Sequence, residues 1–412
     1  MRSISILLFH YVLLISLMVV IVLSHPSFHR KQFHTGPEPS LDWDSFGFSL
    51  NGVETEFMWL SRCPSQVAVG LISAENDSFS MSPDECLVPS GPIALHPSST
   101  VLNYGQSLFE GLKAFRRRDG SIVVFRPEMN ADRMTSGANR FFLPPVPRNV
   151  FINAIDFVVR ANCKFIPPVG KGALYLRPLL FGSAKGLGVK PSEEATFCIY
   201  SSPVGNYFKG NLKCISLQAV KGYARAARGG SGNIKAGGNY APPFALQRKV
   251  RDRGYDEALF LDASEGEYIE EAGASNFFAL LKDKKTLVTP SLENETILPG
   301  VTRASLIELA KAELGLTVVE RPLSVHELKD NVDECFCCGT GASVTPVGRI
   351  GYLSNPSGES SDDDFVVTFG DGVAPGNVTK KLYSILVGIQ SGDYEDAALL
   401  EKYKKWIHYV DP

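Results

Sequence analysis

ARGGSGNIKAGGNYAPP, residues 227–243, sets Gly229, Gly230, Gly232, Gly237 and Gly238 around a single lysine, Lys235. Glycines let a backbone turn tightly and approach a ligand closely. An NTPase phosphate loop needs GxxxxGK followed by Ser or Thr. Here Ile234 precedes the lysine and Ala236 follows it, which disfavours that class. Two readings stay open at this point: a flexible surface loop with a solvated lysine, or a lysine held to form a Schiff base with an aldehyde cofactor.

Working outward, KCISLQAV (213–220) reads as a strand and APPFALQRKVRDRG (241–254) as a helix started by proline and stopped by glycine. DEALFLDA (256–263), FFALLKD (277–283) and VVTFG (366–370) read as strands. TRASLIELAKAELG (302–315), with Gly315 as its stop, and NVTKKLYSILVGIQSG (377–392) read as helices. Towards the amino terminus, SIVVFRP (121–127) is a strand ending at a proline. The apolar spacing of PRNVFINAIDFVVRANC predicts a helix over 148–163, and GALYLRPLLFG (172–182) and ATFCIYSSPVG (195–205) are buried strands. SSPVGNYFKGN (201–211) reads as an interdomain connection. Strict βαβ alternation is missing, so the expected fold is mixed α/β in two domains meeting near residue 205, not a doubly wound sheet. The domains are placed at 41–203 and 204–412.

Composition narrows the function. Lys plus Arg is 41 and Asp plus Glu 44, a net charge of −3 with no basic excess to neutralise nucleic-acid phosphates. Of seven histidines, only His96, His326 and His408 lie beyond the first 34 residues, so neither a zinc enzyme nor a Ser-His-Asp hydrolase is expected. The eight cysteines form no paired framework and read as reduced thiols. Residues 4–23 are uncharged and mostly apolar, long enough to span a bilayer, and Val22 and Ser24 suit a cleavage site. Residues 1–24 therefore read as a signal or anchor and 25–40 as a linker. Asn76, Asn294 and Asn377 open glycosylation triplets that matter only in a secretory lumen.

Three further stretches carry chemistry. IEEAGASNFF (269–278) offers Glu270 and Glu271, of which alternation would turn one inward to a protonated ring nitrogen and the other to water. In ILPGVTRASL (297–306), Gly300 and Thr302 open a helix whose free amides suit a phosphate, or else form a plain capped turn. CGTGAS (338–343) is a small-residue turn able to nest an anion but short of a dinucleotide fingerprint.

Together with NYGQSLFEGLKAFR (103–116), FRPEMNADRM (125–134), LYLRP (174–178) and SPVGNYF (202–208), these stretches make the chain from about residue 41 onward resemble the branched-chain amino-acid aminotransferases. These are fold-type IV enzymes that use pyridoxal 5'-phosphate (PLP). LDWDSFGFSL (41–50) and KKWIHYVDP (404–412) look most like the plant-type members.

The resemblance implies that Lys235 forms the Schiff base with PLP and shuttles the proton. Glu271 would hold the pyridine nitrogen protonated, with Glu270 structural, and Tyr240 would bond the phenolic oxygen. Arg133, Val301, Thr302 and Thr340 would hold the phosphate. Tyr104, Phe109, Tyr175, Arg177 and Tyr207 would line the substrate pocket, with Arg177 assisting the distal carboxylate of glutamate and Gly341 and Ala342 offering amides to the α-carboxylate. The implied reaction moves an amino group between L-leucine, L-isoleucine or L-valine and 2-oxoglutarate, in biosynthesis or degradation. Family members imply a homodimer, with Tyr104 crossing to the neighbour's site, and a plastid or mitochondrial location, against which the hydrophobic leader sets a secretory or membrane-anchored alternative. Two positions depart from the pattern. Ala274 replaces a Ser or Thr that touches the cofactor, with Ser275 next door to replace the bond, and Ala342 and Thr345 replace a redox CxxC of some animal relatives. The rival readings are a D-amino-acid transaminase or aminodeoxychorismate lyase, and a membrane-tethered, non-catalytic scaffold.

Overall fold

Apolar strands from the two halves of the chain sort into two sheets in the computed structural model, which describes residues 36–48, 53–64, 79–208, 212–355, 357, 359 and 361–411. The leader at 4–23, most of the linker, and Asn76 lie outside the described residues. Among the described residues, no helix is long and apolar enough to cross a membrane. No disulfide joins any of the cysteines among the described residues.

The first sheet is antiparallel throughout. Its order is Ile407–Tyr409, Ile122–Phe125, Leu112–Arg116, Ala173–Gly182, Glu194–Val204, Phe57–Pro64 and Leu87–Pro89, with Ser107–Phe109 beside the second half of Ala173–Gly182. Helix Arg148–Ala161 packs on it through Val150, Phe151, Ala154, Ile155, Val158 and Val159, the stripe that helical periodicity requires. Trp59, Phe197 and Leu174 complete that core, each such buried side chain stabilising by about 1.5–3 kcal/mol.

In the second sheet, Ile269–Ala272, Glu257–Leu261, Ile215–Val220, Ser343–Leu353, Val332–Gly339 and Ser275–Leu281 follow in order, and the last pairs back with the first. These strands close a ring. Ile215–Val220 runs parallel to both of its neighbours, and the rest of the ring is antiparallel. Helices Val301–Leu314 and Asn377–Ser391 lie over it with Phe278 and Phe336 beneath.

The mixed, non-alternating architecture matches the expectation from sequence. Differences are local. Ser201–Val204 is the end of a strand, paired with Ala173–Leu176, so the connection between sheets begins after Val204. CGTGAS joins Val332–Gly339 to Ser343–Leu353 as a hairpin turn. The carboxy-terminal strand Ile407–Tyr409 returns to the first sheet. The sheets meet at the lysine: Phe109 N donates to Lys235 O at 3.0 Å, and Leu108 bridges to Ala236.

Candidate active site

The glycine loop is fastened so that Lys235 faces inward. Asn239 Nδ2 donates to Ser231 O at 2.6 Å and Ile234 O at 2.9 Å. Gly232 leaves no room for a side chain, since a Cβ there would sit 2.4 Å from Thr296 O. Lys235 Nζ lies 3.1 Å from the Tyr240 hydroxyl and 4.6 Å from the Phe109 ring centre. Burial first, then the nearby guanidinium of Arg133, pushes its amine down to about 7. Burial pushes the Tyr240 hydroxyl up to about 12. A solvated surface lysine would show neither the enclosure nor the shift.

Glu271 is buried on Ile269–Ala272. Its Oε1 accepts from Leu298 N at 2.8 Å and Asn276 Nδ2 at 2.9 Å, and its Oε2 pairs with Arg225 at 2.8 Å. Burial raises its carboxyl while Arg225 and the Leu298 amide pull against that. Arg225 also donates to Gly232 O and Thr296 O, so one guanidinium ties Glu271 to the lysine loop. The expectation that Glu270 faces water is corrected: it is 5% exposed. A bulge between Ile269 and Ala272 breaks the alternation, and the closed ring leaves that stretch buried.

Arg133 projects from helix Pro127–Phe141. Nε and Nη2 grip the fully buried Glu110 at 2.7 and 2.6 Å, and Nη1 donates to Pro299 O at 2.9 Å. Helix Val301–Leu314 starts at Gly300 with no side-chain cap, leaving the amides of Val301 and Thr302 open. Gly300 is needed there, because a Cβ would meet Asn276 Oδ1 at 2.1 Å. A small cavity is lined by Gly111, Asn130, Val301, Thr302 and Thr340, which brings three of the expected phosphate contacts together. Thr340 Oγ1 donates to Gly111 O at 3.2 Å.

On the substrate side, Arg177 Nη2 donates to the Tyr175 hydroxyl at 3.2 Å, and its guanidinium lies 4.9 Å from the Phe109 ring centre. Its Nε is buried without a partner. Gly341 packs on Phe48, whose ring is 5.4 Å from Tyr207, itself half-exposed. Ala342 completes the hairpin turn before Ser343, and Ser275 begins the strand that follows Ala274. Tyr104 stands apart: its hydroxyl donates to Leu187 O at 2.6 Å, and it lines a separate groove with Arg140, Val189 and Asn239. Sequence reasoning missed Glu110, Arg225, Asn276, Lys113 and Phe48. The first, third, fourth and fifth sit inside quoted motifs, whereas Arg225 carries no local signal.

PLP fits these residues. A buried amine with a lowered pKa, a buried carboxylate and an uncapped helix start are the donor set its aldehyde, ring nitrogen and phosphate require, with the Arg133 fork itself turned to Glu110. The amino-transferase class IV family model matches residues 107–350. Branched-chain-amino-acid aminotransferase 2, chloroplastic, of Arabidopsis thaliana is 40% identical over 367 residues, covering 89% of this chain and 85% of its own. The mitochondrial enzyme 1 of the same plant is 41% identical over 89% of this chain and 86% of its own. The Escherichia coli branched-chain aminotransferase structure superposes with a TM-score of 0.65 at 28% identity, over 87% of this chain and 100% of that one. The chain belongs to the class IV aminotransferases, within their branched-chain-amino-acid branch, and is a PLP-dependent enzyme. These relatives favour neither the D-amino-acid, lyase nor scaffold alternatives.

Proposed function

We propose that the protein exchanges the amino group between L-leucine, L-isoleucine or L-valine and 2-oxoglutarate, with Lys235 as the residue that carries PLP. The observation behind this is the enclosed Lys235 amine, lowered to about 7 and 3.1 Å from Tyr240, beside the buried Glu271. When bound, PLP supplies an electron sink that acidifies the amino acid's Cα–H. Lys235 Nζ, balanced between its neutral and charged forms near pH 7, takes that proton and gives it back. Glu271, anchored by Arg225, Asn276 and Leu298 N, keeps the ring nitrogen protonated. Arg133, the amides of Val301 and Thr302, and Thr340 hold the phosphate, with Ser275 standing in for the hydroxyl that Ala274 lacks.

Phe109, Tyr175 and Tyr240, with Tyr207 at the rim, give the pocket aromatic walls suited to an apolar side chain. Arg177, with its unpartnered Nε, serves the distal carboxylate when glutamate occupies the same space. Gly341 and Ala342 present amides to the α-carboxylate. The protein is further read as a homodimer in which Tyr104 completes the neighbour's site, supported by the exposed apolar side chains around it. Lys235→Ala is expected to lower amino-group transfer by about 10^2–10^4-fold while leaving the fold intact by circular dichroism. Wild-type turnover in that variant would overturn the proposal.

A further inference from the structure

Lys113 sits on Leu112–Arg116 with its amine enclosed. Burial alone lowers it to about 8, and no carboxylate among the described residues pairs with it. A buried ammonium without a counter-ion is costly, so the strong contact it makes among the described residues needs an explanation. That contact is Gly341 O, at 2.6 Å, with the Phe48 ring centre 5.2 Å away. Two residues earlier on the same run, Gly111 O accepts from Thr340 Oγ1. The first sheet therefore grips the 340–342 turn of the second at two successive places.

The grip has a directional consequence. A trans peptide is planar, with its C=O and the following N–H pointing opposite ways. Fixing Gly341 O towards Lys113 turns the Ala342 N–H to the other side. We propose that Lys113 is the positioning residue for the substrate α-carboxylate, holding the Gly341–Ala342 peptide so that its N–H faces the bound acid. This rests on the reading that the turn receives that carboxylate. Lys113 touches neither substrate nor cofactor in this account; it acts through the peptide it orients.

The test uses the full PLP-loaded protein and two unreactive probes with the leucine carbon skeleton: 4-methylpentanoate, which has the carboxylate, and 4-methylpentan-1-ol, which lacks it. Calorimetry measures both against wild type, Lys113→Met and Lys113→Arg. Losing a hydrogen bond from a charged donor is expected to weaken acid binding in Lys113→Met by about 10–100-fold, with alcohol binding unchanged and Lys113→Arg restoring most of the loss. In turnover, the defect should fall on KM for leucine more than on kcat. Equal weakening of both probes, or unchanged acid binding, would overturn the proposal. If Lys113→Met fails to fold, Lys113→Gln carries the same comparison. Wild type that binds neither probe would overturn the underlying function, and this proposal with it.

Discussion

Glu270 and Glu271 stand side by side on one strand and differ in what faces them. Glu271 has a guanidinium, an amide side chain and a backbone N–H on its two oxygens. Glu270 keeps Oε2 buried without a partner, and burial pushes its carboxyl up to about 7, opposed by Thr296 and Arg225. The folded protein then holds a proton that the unfolded chain has released between about pH 4.5 and pH 7. Its contribution to stability is full below that window and lost as pH rises through it. Glu270→Gln is therefore expected to match wild type in thermal melts near pH 4 and to exceed it above pH 7, by about 1–3 kcal/mol, the usual cost of an unsatisfied buried polar group. An equal offset at both pH values would contradict the assignment. At this scale the motif wording pointed to Lys235, Tyr240, Glu271 and Arg133, all of which lie in the buried cluster. It could not reveal Arg225, whose importance arises from a long-range approach to Glu271.

At the scale of elements, periodicity located the helix at 148–163, found at Arg148–Ala161, and the buried strands around LYLRP, found at Ala173–Gly182. Helix Pro127–Phe141 was not read from sequence. It begins after Arg126 in a left-handed conformation at φ 44°, and its many polar side chains weaken the apolar stripe. The connection expected over 201–211 overlaps the strand expected over 195–205, and the strand holds as far as Val204 because a proline near a strand's end costs little pairing. One surface is conspicuously apolar: Leu102 and Tyr104 from one short helix, Leu187 and Val189 from the loop before Glu194–Val204, and Phe142 are all exposed, Val189 at 87%. Such a patch marks an interaction surface. Val189→Asp is expected to shift sedimentation equilibrium from dimer towards monomer, and a wild type that sediments as a monomer would contradict the dimer reading.

For the whole molecule, the mixed α/β class without strict alternation was legible in the sequence, whereas the sorting of the strands into two sheets was not. Sequence alone did not show that the carboxy-terminal strand rejoins the first of them, since a three-residue strand carries almost no pattern of its own. The site lies on the seam. The first sheet brings Phe109, Tyr175, Arg177 and, through the helix after it, Arg133; the second brings the Lys235 loop, Glu271 and the 340–342 turn. The bond from Phe109 N to Lys235 O joins the halves at the lysine loop. The central claim is that this seam performs an amino-acid half-reaction. The most direct measurement is the visible absorption of the PLP-loaded protein as L-leucine is added without any oxo acid. The expected result is bleaching as the cofactor takes the amino group, reversed by 2-oxoglutarate. Absorption that ignores leucine but responds to D-alanine, or none at all after PLP is added, would contradict the account.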